Sequence, residues 1–333
     1  IMEQWQGVVL HCHVRAANQE AGMTRLRKNL EQYDLWRDDY ARRIRVFTGD
    51  LSADRLGQAE ADWRALARDV DLIIHNASYL NHVLPYSALK AANVEPTANL
   101  LQLAFASKLK GFMYVSTSGV LHGDGRGRSI DESYEIESEP QIVAEGYNAS
   151  KWVSELMVRR ATRAGLPAQI ARLGRVVIDS ESGNGRLDDF VALFVRTCLR
   201  IGAYPDYPLI EQIVPVDYLG AGLVALAGDY THTGVHHLIG THKRDWSALL
   251  PDYVDCAAAG LRKLSVREWV DQVKKESLDQ PLPFAPYLFW WDTDAGHPEE
   301  KRLKVRSQVT QRRLDKLGVK ETKVTDQAWI HYL

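Results

Sequence analysis

A chain of 333 residues with 45% hydrophobic and 25% charged side chains has the composition of an ordinary soluble globular protein, and its formal net charge of −2 argues against general nucleic-acid binding. The length exceeds what a single core usually fills, so one large domain with a smaller companion is expected. Cys12, Cys198 and Cys256 lie far apart without a C-x-x-C pair, which points away from a disulfide framework or zinc site and toward a reducing cytoplasm; no apolar run reaches the roughly 18–20 residues of a membrane span.

The chain opens on IMEQWQ (1–6), which is neither a signal peptide nor a natural start and reads as the tail of a helix entered partway along. Short β-branched runs follow at intervals: VVLHCHV (8–14), RIRVF (43–47), DLIIHNA (71–77), GFMYVST (111–117) and PAQIARLG (167–174). Between them lie stretches of helical period, among them MTRLRKNLEQYDLW (23–36) and ANLLQLAFASK (98–108). This alternation predicts an α/β fold, a Rossmann-like doubly wound parallel sheet with helices on both faces. After Asp179 the pattern loosens into a helix near 187–201, prolines at 205, 208 and 215, and VHHLIG (235–240). Residues 1–179 are therefore expected to form a nucleotide-binding domain, N-terminally incomplete, and 180–333 a smaller, mostly helical domain with some segments returning to the sheet.

A dinucleotide-binding sheet normally opens with a strand, a glycine-rich turn and a helix whose N-terminus holds the pyrophosphate. Here VVLHCHV has the character of the second strand, so the first strand and its glycine loop are expected to lie outside these residues. GDGRG (123–127) is no substitute, because it follows a different strand and opens no evident helix.

The stretch GYNASKW (146–152) sets Tyr147 four residues before Lys151. On a helix those side chains share a face. A free phenol, with a pKa of about 10, is a poor acid at neutral pH, and an adjacent ammonium is expected to lower it. Upstream, GFMYVST ends in the hydroxyls Ser116, Thr117 and Ser118, at the strand end where open α/β sheets place ligands; Thr117 is the candidate second donor to a substrate oxygen.

With these residues in view, the chain resembles the extended short-chain dehydrogenase/reductases. More narrowly it resembles the thioester reductase domains that terminate nonribosomal peptide synthetases and occur in carboxylic acid reductases. The resemblance runs from about residue 5 to the C-terminus through RIRVFTGDLS (43–52), LARDVDLIIHNAS (66–78), Asn81, PYSALKAANV (85–94), YVST (114–117), GYNASKW, RLGR (172–175), DDF (188–190) and VPVD (214–217). It implies a catalytic triad of Thr117, Tyr147 and Lys151. Asp50 and Leu51 would border the adenine, Asn76, Ala77 and Ser78 would line the cofactor, and Leu173 would lie near the nicotinamide.

Arginine at the end of the second strand accommodates the additional phosphate of NADP, and the chain offers Arg15 there and Arg25 on the following helix, so NADPH is the expected cofactor. The resemblance further implies a phosphopantetheine-bound acyl or peptidyl thioester, delivered by a carrier protein in the same polypeptide and released as aldehyde or alcohol. No metal, nucleic acid or membrane is expected to take part. Pro96, Leu173 and Ile178 depart from the family pattern without touching the triad. Two rivals remain open: an extended reductase or epimerase acting on a free small molecule or acyl-CoA, and a noncatalytic binding module that retains the fold. His11 and His13, His236 and His237, the aromatic run PYLFWW (286–291) and the basic stretch 299–320 are expected to be structural or solvated.

Overall fold

The computed structural model describes residues 1–121, 128–138, 145–206, 210–229, 232–288 and 303–333. GDGRG, the last part of PYLFWW and the start of the basic stretch lie outside the described residues. The chain divides into two compact units. The first comprises residues 1–116, 142–170 and 226–234, the second 117–141, 171–225 and 235–333.

In the first unit, β1 (Leu10–His13) pairs in parallel with β2 (Ile44–Phe47), in register from Leu10 opposite Ile44 to His13 opposite Phe47. The helix α1 between them spans Gln19–Glu31 rather than 23–36. Asn18 caps it, its side chain accepting from the Ala21 amide at 2.9 Å, and Asp34, in the left-handed region at φ 56°, turns the chain before Leu35. The hydrophobic spacing of 33–36 thus belongs to a turn, and Trp36 packs beside the small cluster of Tyr40, Ile44 and Val46. Helix α2 (Glu60–Asp69) leads to β3 (Leu72–His75), which pairs in parallel with β4 (Gly111–Thr117). β6 (Ala168–Leu173) lies on the other side of β4, after the two-residue strand β5 (Ser129–Ile130) of the second unit.

Two helices join β3 to β4: α3 (Tyr86–Asn93) and α4 (Glu95–Phe105). Pro96 sits in the first turn of α4, where its missing N–H costs no helical hydrogen bond, so its departure from the family pattern is absorbed at a helix junction. The 18-residue α5 (Gly146–Arg163) buries Ser150, Lys151, Ser154, Glu155, Val158 and Arg159. Those positions recur at three- and four-residue spacing, so one face of the helix is a polar stripe buried in the protein. Such a stripe is stable only where its groups are paired.

In the second unit, β7 (Arg175–Val177) runs parallel to β9 (Ile210–Pro215), and β8 (Ala203–Asp206) pairs with a strand at Arg262–Ser265. Strand β5 pairs with Lys304–Val305, and the helix of 190–201 is capped by Asp189 and ended by Gly202 at φ 63°. Its core gathers Phe194, Trp246, Trp269, Phe284 and Trp329. No helix among the described residues is long and apolar enough to cross a membrane, and no group of three potential metal ligands occurs among them.

Candidate active site

Tyr147 and Lys151 occupy successive turns at the start of α5, and what surrounds each sets its chemistry. Lys151 is 3% exposed. Its ammonium donates to the Val115 carbonyl at 2.6 Å, two residues before Thr117, and lies 4.3 Å from the centre of the Tyr114 ring. Burial pushes its pKa down to about 7, opposed by the carboxylate of Glu155. Glu155, on the next turn of α5, is fully buried and satisfied on both oxygens, accepting from Ser116 Oγ at 2.9 Å and Arg159 Nε at 3.1 Å. A buried lysine retains its proton only with such a counter-charge nearby.

Tyr147 is half-buried, and its pKa lies above the ordinary phenol value. Burial is the largest cause; a hydrogen bond with Ser78 pulls the value down, and the charge of Glu145 raises it. The i, i+4 spacing predicts that the lysine depresses it. The structure reverses that expectation because the lysine is directed into a backbone carbonyl and an aromatic face while the phenol loses water. A phenol that stays protonated at neutral pH is suited to donate a proton to an oxygen gaining negative charge.

Thr117 closes β4, half-buried, with Oγ1 accepting from the Gly119 amide at 3.2 Å. That bond occupies one lone pair and leaves the hydroxyl proton available as a donor. Leu173 closes β6 and is half-buried.

The other expected cofactor residues fall in the first unit. Arg25 Nη1 donates to the Arg15 carbonyl at 2.7 Å, which brings both exposed guanidinium-bearing residues to the end of β1. Asp50 Oδ1 accepts from the Ser52 amide at 2.9 Å and hydroxyl at 2.7 Å, a closed turn after β2 that holds the carboxyl below its usual range. Leu51, Asn76 and Ala77 line a groove of about 1660 Å3 flanked by β1 and β3. Its walls include Val8, Leu10, Cys12, Met23, Ile74 and Leu103, and the two strands end their respective sheets there.

The chemistry of the donor set is compatible with a nicotinamide dinucleotide: two exposed arginines stand at one end, and the hydroxyls of Tyr147 and Ser78 with the Lys151 ammonium at the other. A glycine-rich strand, turn and helix for the pyrophosphate is not among the described residues.

Sequence reasoning placed Ser116 in the hydroxyl cluster that ends GFMYVST but did not single out Glu155, His82 or Glu145. Glu155 carried a usable signal, since it stands four residues beyond Lys151 on the same helical face. His82 carried none, because a loop brings it to α5 from more than sixty residues away in sequence.

Residues 1–222 match the NAD-binding family described as Male sterility protein. A linear gramicidin synthase chain of Brevibacillus parabrevis is 34% identical over 275 residues, 82% of this chain and 5% of that protein. The large subunit of L-2-aminoadipate reductase from Eremothecium gossypii is 31% identical over 303 residues, 85% of this chain and 21% of that protein. The chain therefore spans only a small part of the curated relatives it matches. Among solved structures, the terminal R domain from the myxalamid PKS-NRPS biosynthetic pathway superposes with a TM-score of 0.86 at 31% identity, covering 97% of this chain and 82% of that one. With the Rossmann-like α/β sheet and the Tyr147–Lys151 helix, these matches establish that the chain belongs to the NAD-binding Male sterility protein family and is a reductase domain of the terminal R type.

Proposed function

We propose that this domain performs NADPH-dependent reductive release of an acyl or peptidyl thioester from a phosphopantetheine carrier, giving an aldehyde or, after a second round, an alcohol. Residues 1–179 would hold the cofactor and 180–333 would face the acyl chain and the carrier, supplied by the same polypeptide. The observation that carries this reading is the half-buried Tyr147, whose pKa burial raises, one helical turn from the buried Lys151 on α5, in a chain similar to the reductases named above.

When bound, the reduced nicotinamide supplies a hydride to the thioester carbonyl carbon. Tyr147 donates its proton to the carbonyl oxygen as charge develops, with the Thr117 hydroxyl as a second donor. Lys151 binds the nicotinamide ribose, and Ser78 orients the phenol. The thiohemiacetal then expels the pantetheine thiol. Arg15 and Arg25 select the phosphorylated ribose, Asp50 and Leu51 border the adenine, and Asn76, Ala77 and Leu173 border the rest of the cofactor.

The pyrophosphate cradle is assigned to an apolar strand, ending in a glycine-rich turn, that seats in the groove between β1 and β3. An open strand edge presents unpaired N–H and C=O groups to a further strand, and this groove offers two such edges with apolar walls. A synthetic peptide of that composition should slow amide exchange at His11 and His13, the β1 residues flanking Cys12; unchanged exchange removes the assignment.

The enzymatic reading is tested in the full polypeptide with a pantetheine thioester. Tyr147→Phe should lower turnover by about 10²–10⁴ with NADPH affinity nearly unchanged. Parental turnover would overturn the role, and turnover of sugar nucleotides or free ketones in preference to thioesters would favour the rival substrate class.

A further inference from the structure

The phenol of Tyr147 has neighbours that the mechanism above does not use. The loop after β3 turns at Asn81, whose Oδ1 accepts from the amides of Val83 and Leu84, both at 2.9 Å. That turn delivers His82 against α5. The His82 ring meets the Tyr147 ring edge to face, with centroids 5.5 Å apart and planes at 70°. His82 Nδ1 also pairs with Glu145 Oε1, and Glu145 Oε2 accepts from Asn148 Nδ2 at 2.6 Å. A carboxylate only accepts, so the Nδ1 atom carries the proton and the ring orientation is fixed. The two side chains are 17% and 18% exposed, so solvent competes little for the pair.

We infer that His82, held by Glu145, is a positioning residue for the catalytic phenol. Its ring sets the plane of Tyr147, and its N–H tempers the carboxylate charge that acts on the phenol. Three observations converge on this. The contact is with the ring of Tyr147 itself. The acid stands two residues before Tyr147, at the N-cap of the same helix. The loop and the helix are also pressed together: a Cβ on Gly146 would lie 2.2 Å from the Leu84 carbonyl oxygen, so only glycine lets the His82 loop come this close. The other polar groups bearing on Tyr147 are Ser78 after β3, Tyr114 on β4 and Lys151 one turn along α5. Ser78, on the same loop, bonds the Tyr147 hydroxyl, whereas His82 meets the ring itself.

The inference rests on the proton-donor role given to Tyr147, so its test reads the phenol without turnover. Tyr147 is replaced by 3-fluorotyrosine, and the ¹⁹F resonance is titrated in the parent and in three variants, each checked for folding by circular dichroism. Glu145→Gln keeps an acceptor for Nδ1 and removes the charge; the line should stay sharp while the phenol pKa falls. His82→Leu removes both the ring edge and the donor; the line should broaden or split as the ring gains orientations, and the pKa should rise. His82→Asn returns an N–H to Glu145 without the ring; it should bring the pKa back toward the parent and leave the line broad. An unchanged line and pKa in His82→Leu, or a pKa that rises in Glu145→Gln, overturns the inference. Parental turnover in Tyr147→Phe alongside the expected ¹⁹F results would instead overturn the functional role and leave the positioning intact.

Discussion

The helix that carries Tyr147 and Lys151 and the strand pair that carries Arg15 are both parts of a parallel α/β unit, yet they are held in different ways. Of the seven residues of β4, six are buried, and the polar stripe of α5 above it is tied by Lys151 to Val115, Glu155 to Ser116 and Arg159, and Ser150 to Asn93. No residue of β1 is buried, and its outer edge opens on the groove. The proposed proton donor therefore rests on a dry, internally paired network, whereas the arginines proposed to select the cofactor rest on a ribbon that depends on what fills its edge. The first region should respond strongly to pH and to added volume, the second weakly.

The largest expected effect comes from His75, at the end of β3. It is 2% exposed, with Nε2 hydrogen-bonded to Thr97 Oγ1 at 2.9 Å, and burial with the nearby Lys151 charge pushes its pKa down to about 3. The unfolded chain binds this proton at about pH 6.5, so the unfolded state gains protons first as pH falls. The group's contribution is intact above pH 6.5 and is lost between 6.5 and 3 at up to about 1.4 kcal/mol per pH unit. His75→Gln removes that titration. Urea unfolding of parent and variant across this window should show the stability difference shifting steadily in the variant's favour as pH falls. Lys151 titrates above the window and cancels in the comparison. A constant difference from pH 6.5 to 3.5 would mean that His75 takes up its proton without unfolding.

The same contrast explains what could be read in advance. The five early β-branched runs each contain a strand, because a parallel sheet writes its strands as near-continuous apolar stretches. The Tyr147–Lys151 pair was legible because i, i+4 spacing is a local property. Its electrostatics were not: the direction of the Tyr147 shift depends on how much water the fold removes and on where the lysine points. Glu145 and His82 meet only through the turn at Asn81 and the close approach at Gly146, long-range facts that no periodicity records. At α1, hydrophobic spacing carried past the true end because a single left-handed residue, Asp34, overrode it.

Two glycines bring the comparison to its finest scale. At Gly146 an added methyl would meet the Leu84 carbonyl oxygen at 2.2 Å and the backbone of Pro85 and Tyr86 at 2.6 Å. Backbone atoms fixed by the Asn81 turn have nowhere to retreat, so Gly146→Ala should cost about 1–3 kcal/mol, read as a lower urea midpoint at unchanged m-value. At Gly22, inside α1, the methyl would meet only Val46 Cγ1 within 3 Å, at 2.7 Å. A valine tip on a half-open ribbon can move by a few tenths of an ångström, and alanine is favoured over glycine within a helix by about 1 kcal/mol. These terms oppose each other, and Gly22→Ala should stay within about 1 kcal/mol of the parent. If Gly22→Ala proved as costly as Gly146→Ala, the ribbon would be packed as tightly as α5. The open groove beside β1 would then not make that end of the unit yielding.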